Sequence, residues 1–373
     1  MHKKKKAMLL VLTILSLILL PFVLFMALSP QLGGSLTKQA NLELQQSPQF
    51  RDGKFTNTNN ETVDMSGGAI MAMVKEQFKT HPNTTPTDQL PVLDMDSTDL
   101  ANYNGEARLF WFGHSTFLLQ AQGKTIIIDP MFGETASPVS FLGVERFNKH
   151  LPIDIEKLPK IDAILISHDH YDHLDYASIQ KLKAKTDKFY TPLGVGAHLE
   201  VWGVEKARIQ ELDWWQSISF DQFKLVCTPA QHFSGRGKWL SDRASTLWCS
   251  WIIKTPATSI FFSGDSGYGE HFKTIGAKYG PFDLALMECG QYNTLWKGIH
   301  MMPEETIQAG KDVDAKAVMP MHWGAFKLAM HEWNEPIERA TKAAKLLDIP
   351  ILSPIIGEEL MINEQSELTN EWW

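Results

Sequence analysis

From Ala7 to Leu28 the chain runs through apolar side chains without a single charge, directly after the basic run Lys3 to Lys6. An apolar stretch of this length crosses a hydrocarbon core as a helix. A cleaved signal peptide is the competing reading, and it needs small residues around its cut site. Phe25-Met26-Ala27 places a bulky side chain there, and Ala27-Leu28-Ser29 runs straight into Pro30. An uncleaved anchor is therefore expected, its lysines cytoplasmic by the positive-inside rule. The rest of the chain then lies on the non-cytoplasmic side, periplasmic or extracellular. Residues 29 to 62 are polar, rich in Asn, Gln and Thr and without a sustained period, which reads as a spacer. Residues 65 to 78 fit a helix, and residues 79 to 98, with Pro82, Pro86 and Pro91, an extended strap.

A denser hydrophobic pattern begins near Ala107. Arg108 to Gly113 and Thr116 to Gln120 are strand-like and split by Gly113-His114-Ser115, and Lys124 to Asp129 is a strand stopped by Asp-Pro. Further strands are expected at 161–166, 188–190, 223–228, 248–253, 259–263, 282–287 and 317–321. Helices are expected at 176–185, 303–313 and 336–347, the second with acidic residues in its first turn. Strands first, then strands mixed with helices, indicate two sheets packed between helices, an α/β protein of the four-layer αββα type. The chain divides into an anchor or signal segment (1–28), a spacer and N-terminal extension (29–104), a compact domain (105–357) and a C-terminal tail (358–373).

Composition narrows the chemistry. A formal charge of -8 with only short cationic runs argues against a nucleic-acid partner. Cys227, Cys249 and Cys289 are too few for a disulfide framework, and each has apolar neighbours, as buried thiols do.

The 161–166 strand ends at Ser167, and His168-Asp169-His170-Tyr171-Asp172-His173-Leu174-Asp175 follows. Imidazole nitrogens with carboxylate oxygens suit zinc, and catalytic zinc sites keep one position open for water. His168 and His170, two apart on a turn, can chelate one ion, while Asp172 and His173 face a second. Three later stretches each bring one candidate just past a strand. His232 would complete the first set, Asp265 could bridge two ions, and His322 would join the second.

The order His168-x-His170-x-Asp172-His173, His232, Asp265, His322 resembles that of the metallo-β-lactamase-fold hydrolases, over about residues 105 to 357. Within that superfamily the chain is similar to the branch of N-acylphosphatidylethanolamine-hydrolysing phospholipase D and its bacterial relatives. The supporting stretches are Gly113-His114-Ser115-Thr116, Asp129-Pro130-Met131-Phe132, Arg146-Phe147, Glu211-Leu212-Asp213-Trp214-Trp215 and Met321-His322-Trp323-Gly324. Lactonases acting on sugar phosphates share much of this framework. The long insertions of the nucleic-acid-processing members have no counterpart.

The resemblance implies a hydrolase with two Zn2+, for which iron or manganese can substitute, acting on a phospholipid or other phosphodiester at a membrane. Two divalent ions about 3.5 to 4 Å apart hold a hydroxide at neutral pH and steady the charge on the attacked group. Asp172 or Asp169 would orient that water. The resembling phospholipases carry a histidine in a setting similar to that of His300, just before a helix start; His300 would contact the phosphate or protonate the leaving group, or be a plain capping or exposed histidine. His114 would support the metal shell from behind, and Tyr171 would reach substrate or brace its loop. Trp214, Trp215, Trp239, Trp248 and Trp296 are candidates for a lipid-facing rim or for the core, and Arg236, Lys238 and Arg243 for phosphate contacts. The alternatives are a lactonase or small phosphorylated-metabolite hydrolase, and a non-catalytic metal-binding sensor. Completeness of the ligand set counts against the sensor.

Overall fold

Leu109 and Trp111 point to one side of their strand while Phe110 and Phe112 point to the other, as a period of two requires. All four are buried, but in two different clusters. That double burial explains why the strands read as nearly continuous apolar runs in sequence. The computed structural model describes residues 2–59, 66–139, 143–237, 242–363 and 371–373.

In chain order the early elements are α1 (His2–Leu28), α2 (Lys38–Leu44), the hairpin β1 (Phe50–Arg51) and β2 (Lys54–Phe55), α3 (Gly67–Gln77) and α4 (Ser97–Asn102). The meander β3 (Arg108–Trp111), β4 (Phe117–Ala121) and β5 (Lys124–Ile128) follows, then β6 (Ile161–Leu165), α5 (Tyr176–Leu182), β7 (Thr186–Pro192), α6 (Gly196–Val201) and β8 (Ile209–Leu212). The second half contains β9 (Ser217–Phe220), β10 (Phe223–Thr228), β11 (Ser250–Lys254), β12 (Ser259–Phe262), α7 (His271–Tyr279) and β13 (Leu284–Glu288). It closes with α8 (Pro303–Asp312), β14 (Val318–Met321), α9 (Glu335–Leu347) and β15 (Glu359–Met361).

These strands form a seven-stranded sheet, order β15-β3-β4-β5-β6-β7-β8, and a six-stranded sheet, order β14-β13-β12-β11-β10-β9. Inner faces meet in one core where Leu109, Trp111, Ile126, Ile128 and Leu165 pack with Leu225, Trp251, Phe262, Leu286 and Met321. On the outer face of the first sheet, Phe110, Leu118, Ile127 and Ile164 cluster with Ile179 and Leu182 of α5 and Leu199 of α6. The outer face of the second, with Val226, Ile252, Phe261 and Ala285, clusters with residues of α7, α8 and α9. The αββα sandwich expected from the order of elements is the observed architecture.

Both ends of the chain differ from the sequence reading. Residues 29–57 do not stand off as a spacer. Leu32, Leu44, Phe50 and Phe55 are buried, Trp202 Nε1 donates to Pro30 O at 2.7 Å, and Arg236 Nη2 donates to Gln31 O at 2.8 Å. These apolar residues are spaced without a period, so only tertiary packing reveals them. Residues past 357 also join the fold, because β15 pairs antiparallel with β3 and Trp372 stacks on Trp323 at 5.4 Å. Within α1, Met8–Leu28 is long and apolar enough to cross a membrane; Met8 to Leu24 are largely exposed among the described residues, and Met26 near its end is buried.

Candidate metal centre

Every expected ligand sits just past the C-terminal end of a strand, along one rim of the sandwich. His168 to His173 follow β6 in a helical turn in which His173 N and Leu174 N both donate to His170 O. His232 follows β10, Asp265 follows β12 and His322 follows β14. Gly264, at φ 57°, makes the turn that aims Asp265, and a Cβ there would meet Cys249 O at 2.6 Å. His114 (φ 54°) and His322 (φ 69°) hold left-handed conformations that non-glycine residues seldom adopt. Each is fixed by exchanged main-chain bonds, His322 N to His114 O at 2.9 Å and His114 N to Trp323 O at 3.0 Å. Strain of this kind is sustained at functional sites.

The side chains converge in two adjoining clusters, His168–His170–His232–Asp265 and His114–Asp172–His173–His322, with Asp265, His300 and His322 forming a third group that overlaps both. In the first, His170 Nδ1 lies 2.9 Å from His168 Nε2 and 3.2 Å from His232 Nε2. Asp265 Oδ2 lies 3.9 Å from His168 Nε2 and 3.7 Å from His232 Nε2. Ligand atoms about 2.0–2.2 Å from a tetrahedral zinc stand about 3.3–3.6 Å apart, which these spacings bracket. In the second, His173 Nε2 lies 3.5 Å from Asp172 Oδ2 and 3.1 Å from Asp265 Oδ1, and His322 Nδ1 lies 3.2 Å from Asp265 Oδ1. Asp265 therefore turns one oxygen to each cluster.

Proton positions show that the donor set fits cations. Ser167 Oγ donates to Asp129 Oδ2 at 2.6 Å and so accepts from His168 Nδ1 at 2.9 Å. His232 Nδ1 donates to Ile299 O at 3.0 Å, and His173 Nδ1 to Asp129 Oδ2 at 2.7 Å. The Nε2 atoms of His168 and His232 then carry lone pairs aimed at His170 Nδ1, which could donate a proton to only one of them. His173 Nε2 and Asp265 Oδ1 are buried without a properly aligned hydrogen-bond partner. A cation in each cluster satisfies all of these atoms.

Burial holds His168, His232 and His322 well below the ordinary histidine value, and His114 and His170 at about 4. Neutral imidazole is the form that ligates metal. Burial likewise pushes Asp265 up to about 6. For Asp172 the upward push of burial is outweighed by His173, His114 and His322, which hold the carboxyl well below its usual range. For His173 burial is outweighed the other way, by Asp265, Asp172 and Asp129, and its value is raised.

The clusters open into a cavity of about 340 Å3 whose wall adds His300, Arg243, Met73, Phe233, Trp296, Ile299 and Leu328. A larger cavity of about 640 Å3, around Glu134, Arg146 and Lys181, contains none of the cluster residues. His300 stacks on His322 at 5.4 Å, and its Nδ1 bonds Glu288 Oε1 at 3.1 Å. Asp172 sits at the junction of the second cluster, with His114 Nε2, itself a member of that cluster, 2.9 Å from its Oδ2.

Asp169 goes elsewhere. Its buried carboxylate accepts from His198 Nε2, Thr246 Oγ1 and Gly235 N, which leaves it no reach toward a water between the clusters. Tyr171 braces its loop by donating to Arg236 O at 2.7 Å. Arg236 is buried and committed to the carbonyls of Gln31, Asp169 and Leu174, so Arg243 is the cavity's cation among the described residues. Trp214 and Trp248 belong to the core, Trp296 lines the cavity, and Lys238 and Trp239 lie outside the described residues.

Three residues that hold the site have no role in the sequence reading. Asp129 and Glu288 each end an apolar strand segment with a lone carboxylate, a signal that sequence could have offered; Asn57 offered none.

Residues 124–323 match the family described as Beta-lactamase superfamily domain. The chain belongs to the metallo-β-lactamase-fold superfamily. An uncharacterized protein of Mycobacterium tuberculosis is 40% identical over 337 residues, 88% of each chain. The N-acyl-phosphatidylethanolamine-hydrolyzing phospholipase D 1 of Caenorhabditis elegans is 33% identical over 273 residues, 69% of this chain and 74% of that one. In structure, the isothiocyanate hydrolase from Delia radicum gut bacteria superposes with a TM-score of 0.53 at 23% identity, over 68% of this chain and 98% of that one, a likeness of fold. With two candidate clusters at the strand ends, this superfamily member is a metal-dependent hydrolase.

Proposed function

We propose that this chain is a two-zinc phosphodiesterase, anchored in a membrane, that hydrolyses N-acylphosphatidylethanolamine-like phospholipids in the manner of a phospholipase D. The observation that carries the reading is Asp265, whose Oδ2 faces His168 and His232 and whose Oδ1 faces His173 and His322. His168, His170 and His232 would hold one ion, Asp172, His173 and His322 the other, with Asp265 shared. Two divalent ions supply Lewis acidity and activate water near neutral pH.

The remaining roles belong to side chains of the cavity. Arg243, its guanidinium 3.8 Å from the centre of the Phe233 ring, offers a positive charge to a phosphate at the mouth. Burial lowers His300 and pushes the Glu288 carboxyl well above its usual value, so Glu288 would donate to His300 Nδ1 and leave the ring's own proton on Nε2, to be given to the departing oxygen as the phosphorus–oxygen bond breaks. Met73, Phe233, Trp296, Ile299 and Leu328 make the wall suitable for an apolar chain, and an acyl-bearing substrate fits such a wall better than a sugar does. The named activity of the Caenorhabditis elegans relative agrees with this substrate class. Met8–Leu28 would hold residues 105–357 beside the bilayer, opposite the cytoplasmic lysines.

The test is full-length protein in detergent micelles offered N-acylphosphatidylethanolamine, acyl-homoserine lactones and sugar lactones. Release of N-acylethanolamine and phosphatidate is expected; turnover of the lactones alone would overturn the proposal.

A further inference from the structure

The segment that follows the apolar N-terminal helix reaches the metal centre. We infer that Asn57 is a positioning residue for His232, so that the juxtamembrane stretch is a working part of the first metal cluster. This inference rests on reading His232 as a metal ligand.

Asn57 is only 4% exposed. Its Oδ1 accepts from His232 N at 3.1 Å and its Nδ2 donates to His232 O at 2.9 Å. One side chain thus grips both main-chain groups of a single residue, and fixing both directs that residue's Cα–Cβ bond. The ring beyond can then only rotate, and the bond from His232 Nδ1 to Ile299 O at 3.0 Å sets that rotation. Nε2 is left pointing at His170 and Asp265.

An amide suits this task, since one acceptor and one donor match one N–H and one C=O. Asn57 is itself held. Trp248 Nε1 donates to its Oδ1 at 3.0 Å, and the β1–β2 hairpin before it is pinned by buried Phe55 and by Phe55 N donating to Ala244 O at 2.8 Å. The grip spans 175 positions of sequence and comes from outside the 124–323 family match.

Groups that orient a metal ligand from behind change metal affinity about 10- to 100-fold when lost. The test uses the full-length chain in detergent micelles, loaded with Zn2+ and titrated against a chromogenic chelator. In Asn57→Ala one of the two zinc dissociation constants is expected to rise about 10- to 100-fold while the other stays at the parent value. Asn57→Asp keeps shape and acceptor but sets an oxygen against His232 O, and is expected to move the same constant. It carries the test should the alanine variant fail to fold. Trp248→Phe, which spares both bonds to His232, is expected to leave both constants unchanged.

Parent-like constants in the Asn57 variants, with only a lower Tm, would overturn the inference, as would equal weakening by Trp248→Phe. His232→Ala separates the two readings. If it loses one ion while the Asn57 variants lose none, the inference fails and the ligand assignment stands. If it keeps both ions, the assignment fails.

Discussion

Asp129 connects the two clusters, and Asp129→Asn should weaken both at once. The carboxylate is fully buried and accepts from Ser167 N at 2.7 Å, Ser167 Oγ at 2.6 Å and His173 Nδ1 at 2.7 Å. An asparagine can keep the bond to Ser167 N through its oxygen. Its amide nitrogen then opposes two donors that formerly met Oδ2. His173 must move its proton to Nε2, the atom facing Asp172 and Asp265, and Ser167 Oγ loses the acceptor for its own proton, which disturbs its role as acceptor for His168 Nδ1. One ligand in each cluster thereby loses its orienting partner. At about 10- to 100-fold per partner, each zinc constant should rise by that factor, about 1.4–2.8 kcal/mol per ion. The assay is chelator competition on the full chain, followed by activity at saturating Zn2+. Two unchanged constants in a folded variant would refute the reasoning. A change in only one would show that Asp129 serves a single cluster.

Other expectations follow from the same geometry. His300→Gln should lower kcat by about 10²-fold or more while both zinc constants stay at the parent value; unchanged kcat removes His300 from the chemistry. Glu288→Gln, which keeps a partner for His300 Nδ1 but can neither take up nor release a proton, should alter the pH dependence of kcat, and a superimposable profile would count against the pairing. Asp169→Asn should cost about 1–3 kcal/mol of stability, read by denaturant melting, because its amide nitrogen would face His198 Nε2 and Thr246 Oγ1, the two buried donors that met Oδ2, while Gly235 N keeps its acceptor. A variant of parent stability that lacked activity would return Asp169 to the catalytic machinery. Chelation should abolish hydrolysis and Zn2+ restore it, whereas activity in the stripped protein would exclude a metal-dependent reaction.

Much of this arrangement could be read from the chain itself. Most strands of the sandwich announced themselves because they are apolar on both faces, and the crowded loop after Ile166 stood out because packing cannot account for so many imidazoles. His232, Asp265 and His322 were legible by position, each just past an apolar strand. Other features depend on contacts between distant residues. Nothing near Asn57 signals His232, and the apolar residues of 29–57 have no period to betray their burial. Asp169 looked functional because it lies between two candidate ligands, yet on this turn its side chain faces His198. The strands Ile209–Leu212 and Ser217–Phe220 are partly polar, so the pattern that revealed buried strands passed over these two at the sheet edges.

The central claim is a pair of ions sharing Asp265. Anomalous diffraction at the zinc edge from crystals of the zinc-loaded protein tests it most directly. Two peaks are predicted, one within bonding distance of His168, His170 and His232, the other of Asp172, His173 and His322, with an Asp265 oxygen on each. A single peak, or two peaks with Asp265 bound to only one, would contradict it.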